Sequence, residues 1–289
     1  MKVEEKYVEI EGIRVHYLSG GEGSPLLLIH GLGNAVLSWS ANIEPLALSH
    51  RIYALDLPGH GLSDKPAISY TLDYGVDFLQ KFMDKVGIQE ANVAGNSMGG
   101  LLAARLALDI PDRVIRLILV GAAGIGRDLT FSLRFLTLPL VGKLLYRTTS
   151  EKKVRFVLKK ILFDQSLITD ELVKEVYRYR SIPGNDENAL KILKYGVNLL
   201  GQQEKVVVRD RLPSLRKPTL ILWGAQDRLI PVDHAYLAHK LIEGSILHIF
   251  QGCGHWPQME KASEFNELVQ EFLQRPLESQ ALKMPYRGL

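Results

Sequence analysis

Five short, unbroken apolar runs constrain this chain more than any other feature: Leu26-Leu27-Leu28-Ile29, Ile52-Tyr53-Ala54-Leu55, Val93-Ala94, Leu117-Ile118-Leu119-Val120 and Leu220-Ile221-Leu222-Trp223. Apolar residues at successive rather than alternate positions mark strands covered on both faces, the condition of a parallel sheet. Helix-period segments lie between them at residues 73–86, 98–108, 233–241 and 262–272, the first with a cap at Thr71 or Asp73. Strands alternating with helices predict an α/β chain with a doubly wound, mostly parallel sheet. Residues 7–10 and 13–18 instead alternate apolar with polar around Glu11-Gly12, which predicts an antiparallel hairpin with one wet face at the sheet's edge.

The alternation stops after Val120 and resumes near Pro218. Residues 127–211 show only helix-period patterns, at 131–146, 152–162, 170–179 and 188–200, with breaks at Pro139 and Pro183-Gly184. This predicts a helical cap inserted into the α/β core, so that residues 1–126 and 212–273 form the core and 127–211 the cap. The tail, 274–289, contains Pro276 and Pro285, has no period, and is expected to be loosely attached.

Composition excludes more than it assigns. With 46% hydrophobic residues in 289, the chain can bury a large core. A formal charge of only +3, with both signs mixed along the chain, gives no reason to expect a nucleic-acid partner. Cys253 is the single cysteine, so no intrachain disulfide forms, and it reads as a small buried filler rather than a nucleophile. Residues 1–6 lack the apolar core of a signal peptide, and the greasiest segment, 133–145, is broken by Arg134, Pro139 and Lys143, short of the ~18 apolar residues of a membrane span. The expected location is therefore cytoplasmic. No metal-ligand cluster or phosphate-cradling loop is visible, so neither metal nor cofactor is expected.

Chemistry enters at Gly95-Asn96-Ser97-Met98-Gly99, a G-x-S-x-G sequence between an apolar run and a helical segment. A serine at the apex of a sharp strand-to-helix turn wants glycine on both flanks, and it sits at a helix N-terminus where N–H groups can stabilise an oxyanion. The pentapeptide is short enough to arise by chance, so its partners decide. Serine needs a base, and the base needs an orienting carboxylate. Asp227 follows the strand at 220–223, and His255 follows the next apolar run at 246–250, which places both just beyond strand ends, where open α/β sheets bind ligands. Each residue alone has an ordinary alternative as a turn, cap or surface residue. Together, Ser97, Asp227 and His255 form a candidate catalytic triad, acting in acyl transfer. Asp233, a rival carboxylate, reads better as the N-cap of its helix. The oxyanion donors are expected to be the backbone N–H groups of Met98 and of Leu32, in the loop His30-Gly31-Leu32-Gly33-Asn34, where Gly31 allows close approach to substrate. His30 and His60 read as residues that tie loops together.

These segments, His30-Gly31, the loop at residues 56–63, the elbow, and Gly254-His255-Trp256-Pro257, resemble the signature loops of the α/β-hydrolase superfamily over residues 25–124 and 212–273. The chain order Ser, Asp, His agrees with that resemblance. Within the superfamily the chain is similar to carboxylesterases and to meta-cleavage-product hydrolases, which cut C–C bonds in vinylogous 1,5-diketones. Asn96, Trp39, Asn42, Trp256 and residues 164–169 match the C–C group, and Gly31, Trp39, Asn42, Asn96, Trp256 and Leu138 are the substrate-binding residues the resemblance and the cap pattern suggest. Two departures count against that group: its more glycine-rich loop is replaced by Leu32-Gly33-Asn34, and the cap arginine it uses for the substrate's carboxylate corresponds to Val176, with Arg178 and Arg180 two and four residues later. The sequence therefore ranks hydrolysis of small or medium carboxylic esters above C–C hydrolysis. A non-catalytic ligand receptor on the same fold is the competing class, and an intact triad argues against it.

Residues 127–160 hold nine Lys or Arg against two acidic residues. A basic cap with an apolar stripe could rest on a lipid surface, but the sequence favours a solvated helix face opposite a core-packing stripe, with Leu133, Phe135, Leu138, Leu140 and Val141 as candidates for a pocket roof. The oligomeric state is not legible.

Overall fold

The computed structural model describes residues 2–147 and 150–277. Its centre is one eight-stranded sheet. Strands β1 (Glu4–Ile10) and β2 (Ile13–Gly20) form the expected antiparallel edge hairpin, in which β1 stays largely exposed while β2, paired on both sides, is mostly buried. The remaining strands are β3 (Pro25–Ile29), β4 (Arg51–Leu55), β5 (Ala91–Asn96), β6 (Val114–Val120), β9 (Thr219–Gly224) and β10 (Ile246–Phe250). They run parallel to one another in the order β1-β2-β4-β3-β5-β6-β9-β10. Leu26 through Ile29, and Leu117 through Val120, are wholly buried, as their unbroken apolar sequence requires.

Helices cover both faces. On one side α2 (Leu72–Lys85) and α3 (Met98–Asp109) pack over a core that includes Phe82, Leu106 and Trp223. On the other, α1 (Ser40–Ala47) and α11 (Ala262–Gln274) bury Trp39, Phe265 and Phe272 against β3, β4 and β10, with the short α10 (Pro257–Glu260) beside them. Thr71 rather than Asp73 caps α2, its Oγ1 accepting from the Tyr74 N–H at 3.1 Å. Asp233 is the first residue of α9 (Asp233–Leu241) and makes no capping bond, because Val232 holds the cap position.

Between β6 and β9 the chain leaves the sheet for α4 (Phe131–Phe135), α5 (Pro139–Tyr146), α6 (Glu151–Ile161), α7 (Asp170–Arg180) and α8 (Asn185–Gly196). One stretch departs from the helical pattern. Residues 197–200 are not helix: β7 (Val197–Asn198) pairs antiparallel with β8 (Gly201–Gln202). The run Val197-Asn198-Leu199-Leu200 continues a helical period in sequence, but Gly201 turns at φ +115° and Gln202 is claimed by the core loop, its side chain bonding Gly124 N and Gly126 O. At the other end, Arg116 Nη2 holds the Arg275 carbonyl. The expectation of a loose tail falls mainly on residues 278–289, outside the described residues.

This topology fixes where a site can form. From β3 the chain moves to β4 on one side, then crosses back to β5 on the other, so a crevice opens between the carboxyl ends of β3 and β5.

Candidate active site

The chain turns sharply from β5 into α3 at Ser97. Ser97 sits at φ +57°, ψ −117°, and with Glu11 is one of two described non-glycine residues at positive φ. Such a backbone costs on the order of 1–3 kcal/mol and persists only when its surroundings over-determine it. Here they do: Ser97 N–H donates to Val120 O at 2.9 Å, and Ser97 O accepts from the N–H groups of Gly100, Leu101 and Ala123. The flanking glycines are obligatory. A Cβ on Gly95 would lie 2.2 Å from Gly99 O, and one on Gly99 would lie 2.2 Å from Ile29 O, both backbone atoms with nowhere to go.

The loop after β3 approaches Ser97 closely. A Cβ on Gly31 would stand 3.1 Å from the Ser97 Cβ, a tight contact that glycine avoids as the loop passes Ser97. His30 holds the loop: its Nδ1 bonds Gly31 O at 2.7 Å and its Nε2 accepts from Leu57 N at 3.0 Å, which assigns the proton to Nδ1. Burial lowers its pKa and keeps it neutral. Buried Asp56 adds a second tie, accepting from Val36 N at 2.7 Å, Leu62 N at 2.8 Å and His16 Nδ1 at 2.7 Å. His60 is buried beside His30, ring centroids 5.0 Å apart, and burial, then His30, pushes its pKa down to about 3.

Asp227 and His255 meet beyond β9 and β10. His255 Nδ1 donates to Asp227 Oδ2 at 2.7 Å, and the carboxylate is wholly removed from solvent. Asp227 Oδ1 accepts from Leu229 N at 2.8 Å and Ile230 N at 3.0 Å, so the same side chain also closes the turn after β9. With Nδ1 protonated, a neutral His255 offers Nε2 as a base. Its own backbone is fixed by a bond from His255 N to Ile161 O at 2.8 Å.

Ser97, Met98, Leu32 and His255 all line one cavity of about 1000 Å³, counting its open mouth. Met98 is the first residue of α3, so its N–H is one of the helix's unpaired donors. Ser97, the Asp227-paired His255 and the loops carrying Met98 and Leu32 thus border one cavity, an arrangement that could support acyl transfer.

The model of the α/β hydrolase fold family matches residues 24–262. The chain belongs to this family. Among its relatives, a 2-hydroxy-6-oxononadienedioate/2-hydroxy-6-oxononatrienedioate hydrolase of Comamonas testosteroni is 34% identical over 91% of this chain and 92% of its own. Among solved structures, a meta-cleavage product hydrolase of Pseudomonas fluorescens is 32% identical with a TM-score of 0.79, over 93% of this chain and 97% of that one. A membrane phospholipase A, described as a bacterial virulence factor, is 26% identical with a TM-score of 0.80, over 94% and 86%. The curated relatives favour C–C hydrolysis over the ester reading that the sequence ranks first.

Within this hydrolase, most of the residues suggested as substrate contacts lie elsewhere, because their side chains build the scaffold. Trp39 is fully buried against Phe265 beneath the sheet. Asn42 is equally buried and joins α1 to α10 and α11, its Nδ2 bonding Gln258 O at 2.9 Å and Asn266 Oδ1 at 2.8 Å. Asn96 lies behind the elbow, its Nδ2 shared between Val120 O and His255 O. Trp256 packs with Val154, Leu158 and Val173 beneath α6 and α7. Leu138 is the N-cap of α5 and does not line the cavity, and Gly31 acts through its closeness to Ser97. Of the suggested roof residues, Leu133 lines the cavity; Phe135, Leu138, Leu140 and Val141 do not.

The cavity wall comes instead from Tyr70, Tyr74, Phe78, Ile192, Tyr195 and Val206, among others, and no Lys, Arg, Asp or Glu is among its lining residues. Arg178 is exposed and paired with Glu175 at 2.8 Å; Arg180 is paired with Asp186 at 2.9 Å and lies over Tyr146. Val176 packs in the small core of the insertion. Sequence reasoning also missed Glu260, whose Oε2 accepts from Phe163 N at 2.7 Å and Asp164 N at 3.0 Å while Oε1 accepts from Gly254 N at 2.8 Å. It ties the His255 loop to the segment after α6, and nothing in its spacing announces this. Cys253 is buried and its pKa is raised by burial, as fits a filler. Among the described residues there is no cluster that could hold a metal ion, and no helix long and apolar enough to cross a membrane.

Proposed function

We propose that the protein is a serine hydrolase of uncharged carboxylic esters with a largely apolar acyl part. His255 takes the Ser97 proton as Ser97 attacks the carbonyl, and the N–H groups of Met98 and Leu32 receive the oxyanion. Asp227 orients His255 and stabilises its cationic form, and water then releases the acyl group with His255 as base. The observation that carries this reading is the cavity wall: tyrosines and aliphatic side chains around Ser97 with no ionic residue among them. A carboxylate brought there would lose its water without gaining a cation, a cost of several kcal/mol on the order of any buried unpaired ion.

The second reading is C–C hydrolysis of a vinylogous 1,5-diketone by the same Ser97, and the relatives speak for it. Their names give dienoate or dienedioate substrates, so such a substrate would here need its carboxylate held outside the cavity. The panel that separates the two combines p-nitrophenyl esters of rising acyl length with a vinylogous diketone carrying a carboxylate and its methyl ester. Ester turnover well above that of either diketone supports the first reading. Preferred cleavage of the free-acid diketone supports the second. Ligand-induced stabilisation without turnover would favour a receptor.

A further inference from the structure

The helices above the cavity carry an apolar face that nothing among the described residues covers. On α4, Phe131 is 71% exposed and Phe135 40%, their rings stacked 6.0 Å apart. On α5, Leu140 is 83% exposed, Leu144 75% and Leu145 49%, and only Gly142 of that helix is buried. Residues four apart on a helix share a face, so Phe131 with Phe135, and Leu140 with Leu144, form two apolar ridges joined by a three-residue corner. Scattered exposed leucines are ordinary on a soluble protein, whereas a contiguous patch marks an interaction surface. This patch also backs directly onto the site, because Leu133, on α4 between the two phenylalanines, lines the cavity.

The charges around the patch say what kind of partner fits. Lys143 lies between Leu140 and Leu144 and is exposed. The next helix, α6, turns Val154 and Leu158 inward and leaves Lys152, Phe156, Lys159 and Lys160 outside, Phe156 62% exposed with the Lys160 ammonium 5.4 Å from its ring. None of these four lysines has an ion-pair partner among the described residues, whereas Arg127, Arg134 and Arg155 each have one. Large apolar side chains interspersed with uncompensated lysines are the chemistry of a helix lying in the surface of an anionic bilayer. A second copy meeting this face would bring two surfaces of uncompensated positive charge together, which is unfavourable.

We infer that the outer face of α4 and α5 docks on an anionic phospholipid bilayer, with Phe131, Phe135, Leu140 and Leu144 entering the headgroup region and the lysines of α5 and α6 on the phosphates. Docking in this pose sets the roof of the cavity against the membrane. That the ester substrate is drawn from the bilayer rests on the function proposed above; the docking does not.

Co-sedimentation with vesicles tests it, using Ser97→Ala so that binding is read without turnover. The vesicles are phosphatidylcholine alone and phosphatidylcholine with about one third phosphatidylglycerol. Binding to the mixed vesicles is expected, weakened at least tenfold by half-molar salt and about tenfold or more for each leucine removed in Leu140→Ser and Leu144→Ser. Both leucines stand in solvent, so the double variant keeps its fold and its turnover of a soluble p-nitrophenyl ester. No binding to either vesicle overturns the inference, as does equal binding to phosphatidylcholine alone or full binding by the double variant. A concentration-dependent dimer that the double variant abolishes, without vesicle binding, overturns it in favour of a second copy. Vesicle binding by a protein that hydrolyses no ester leaves the docking standing and removes the proposed function alone.

Discussion

Asp227 gives one carboxylate oxygen to His255 and the other to the backbone: Oδ2 lies 2.7 Å from His255 Nδ1, while Oδ1 accepts from Leu229 and Ile230 N–H. The two functions can be separated. Asp227→Asn keeps an oxygen for the backbone pair but presents an NH₂ to His255, which forces the ring proton onto Nε2 and removes the base. We expect turnover to fall by about four orders of magnitude with little change in melting temperature. Asp227→Ala strands both N–H groups and should lose a further 1–3 kcal/mol or so of stability per group, seen in denaturant titration.

Ser97 is held at φ +57° by four backbone bonds rather than by its side chain. Ser97→Ala should therefore fold normally and lose about three or more orders of magnitude in rate. Ser97→Gly should be as inactive and more stable than Ser97→Ala by about 1 kcal/mol or more, because glycine adopts this backbone without strain. Denaturant midpoints of the two variants check the ordering.

Stability should fall on acidification through the buried histidines. His60 has its pKa lowered to about 3 and His30 is lowered as well, both by burial first. Below the unfolded value of 6.5 the unfolded chain binds protons that the folded chain refuses, so stability present at neutral pH is lost as pH drops from about 6.5 toward 3. One such proton contributes at most about 1.4 kcal/mol per pH unit. Melting temperatures from pH 7 to 4 should decline, and His60→Phe should flatten the slope even if its neutral-pH stability is lower.

Glu260 acts on the site chiefly through backbone N–H groups. Glu260→Ala removes the acceptor for Gly254, Phe163 and Asp164 and should lower kcat about tenfold by loosening the His255 loop, with KM little changed. Glu260→Gln keeps one acceptor and should recover part of kcat. An equal loss in both variants, confined to KM, would place Glu260 in substrate binding instead.

Strand runs and chain order were the legible parts. Unbroken apolar runs locate β3 through β6 and β9 because burial on both faces leaves no other choice of residue, and a parallel sheet then puts Asp227 and His255 at the same edge. The cavity was not legible, because Tyr70, Tyr74 and Tyr195 come from three separate segments with no shared period. Trp39, Asn42 and Trp256 are suggested as substrate contacts by the resemblance to the C–C group, and a family motif does not distinguish a residue that touches ligand from one that packs the scaffold; here their side chains pack among α1, α10 and α6. Leu140 reads in the sequence as a candidate roof residue yet stands exposed, because an amphipathic stripe shows which residues share a face, not which way it points.

The central claim is that Ser97 becomes a nucleophile through His255 and Asp227. Incubation with a p-nitrophenyl alkylphosphonate, followed by peptide mass spectrometry, tests it most directly, since phosphonylation needs the base and leaves a stable adduct. The account predicts a single adduct on the peptide containing Ser97, formed at least about a hundredfold more slowly in His255→Ala and in Asp227→Asn. Labelling at full rate in His255→Ala, or on a residue other than Ser97, would contradict it.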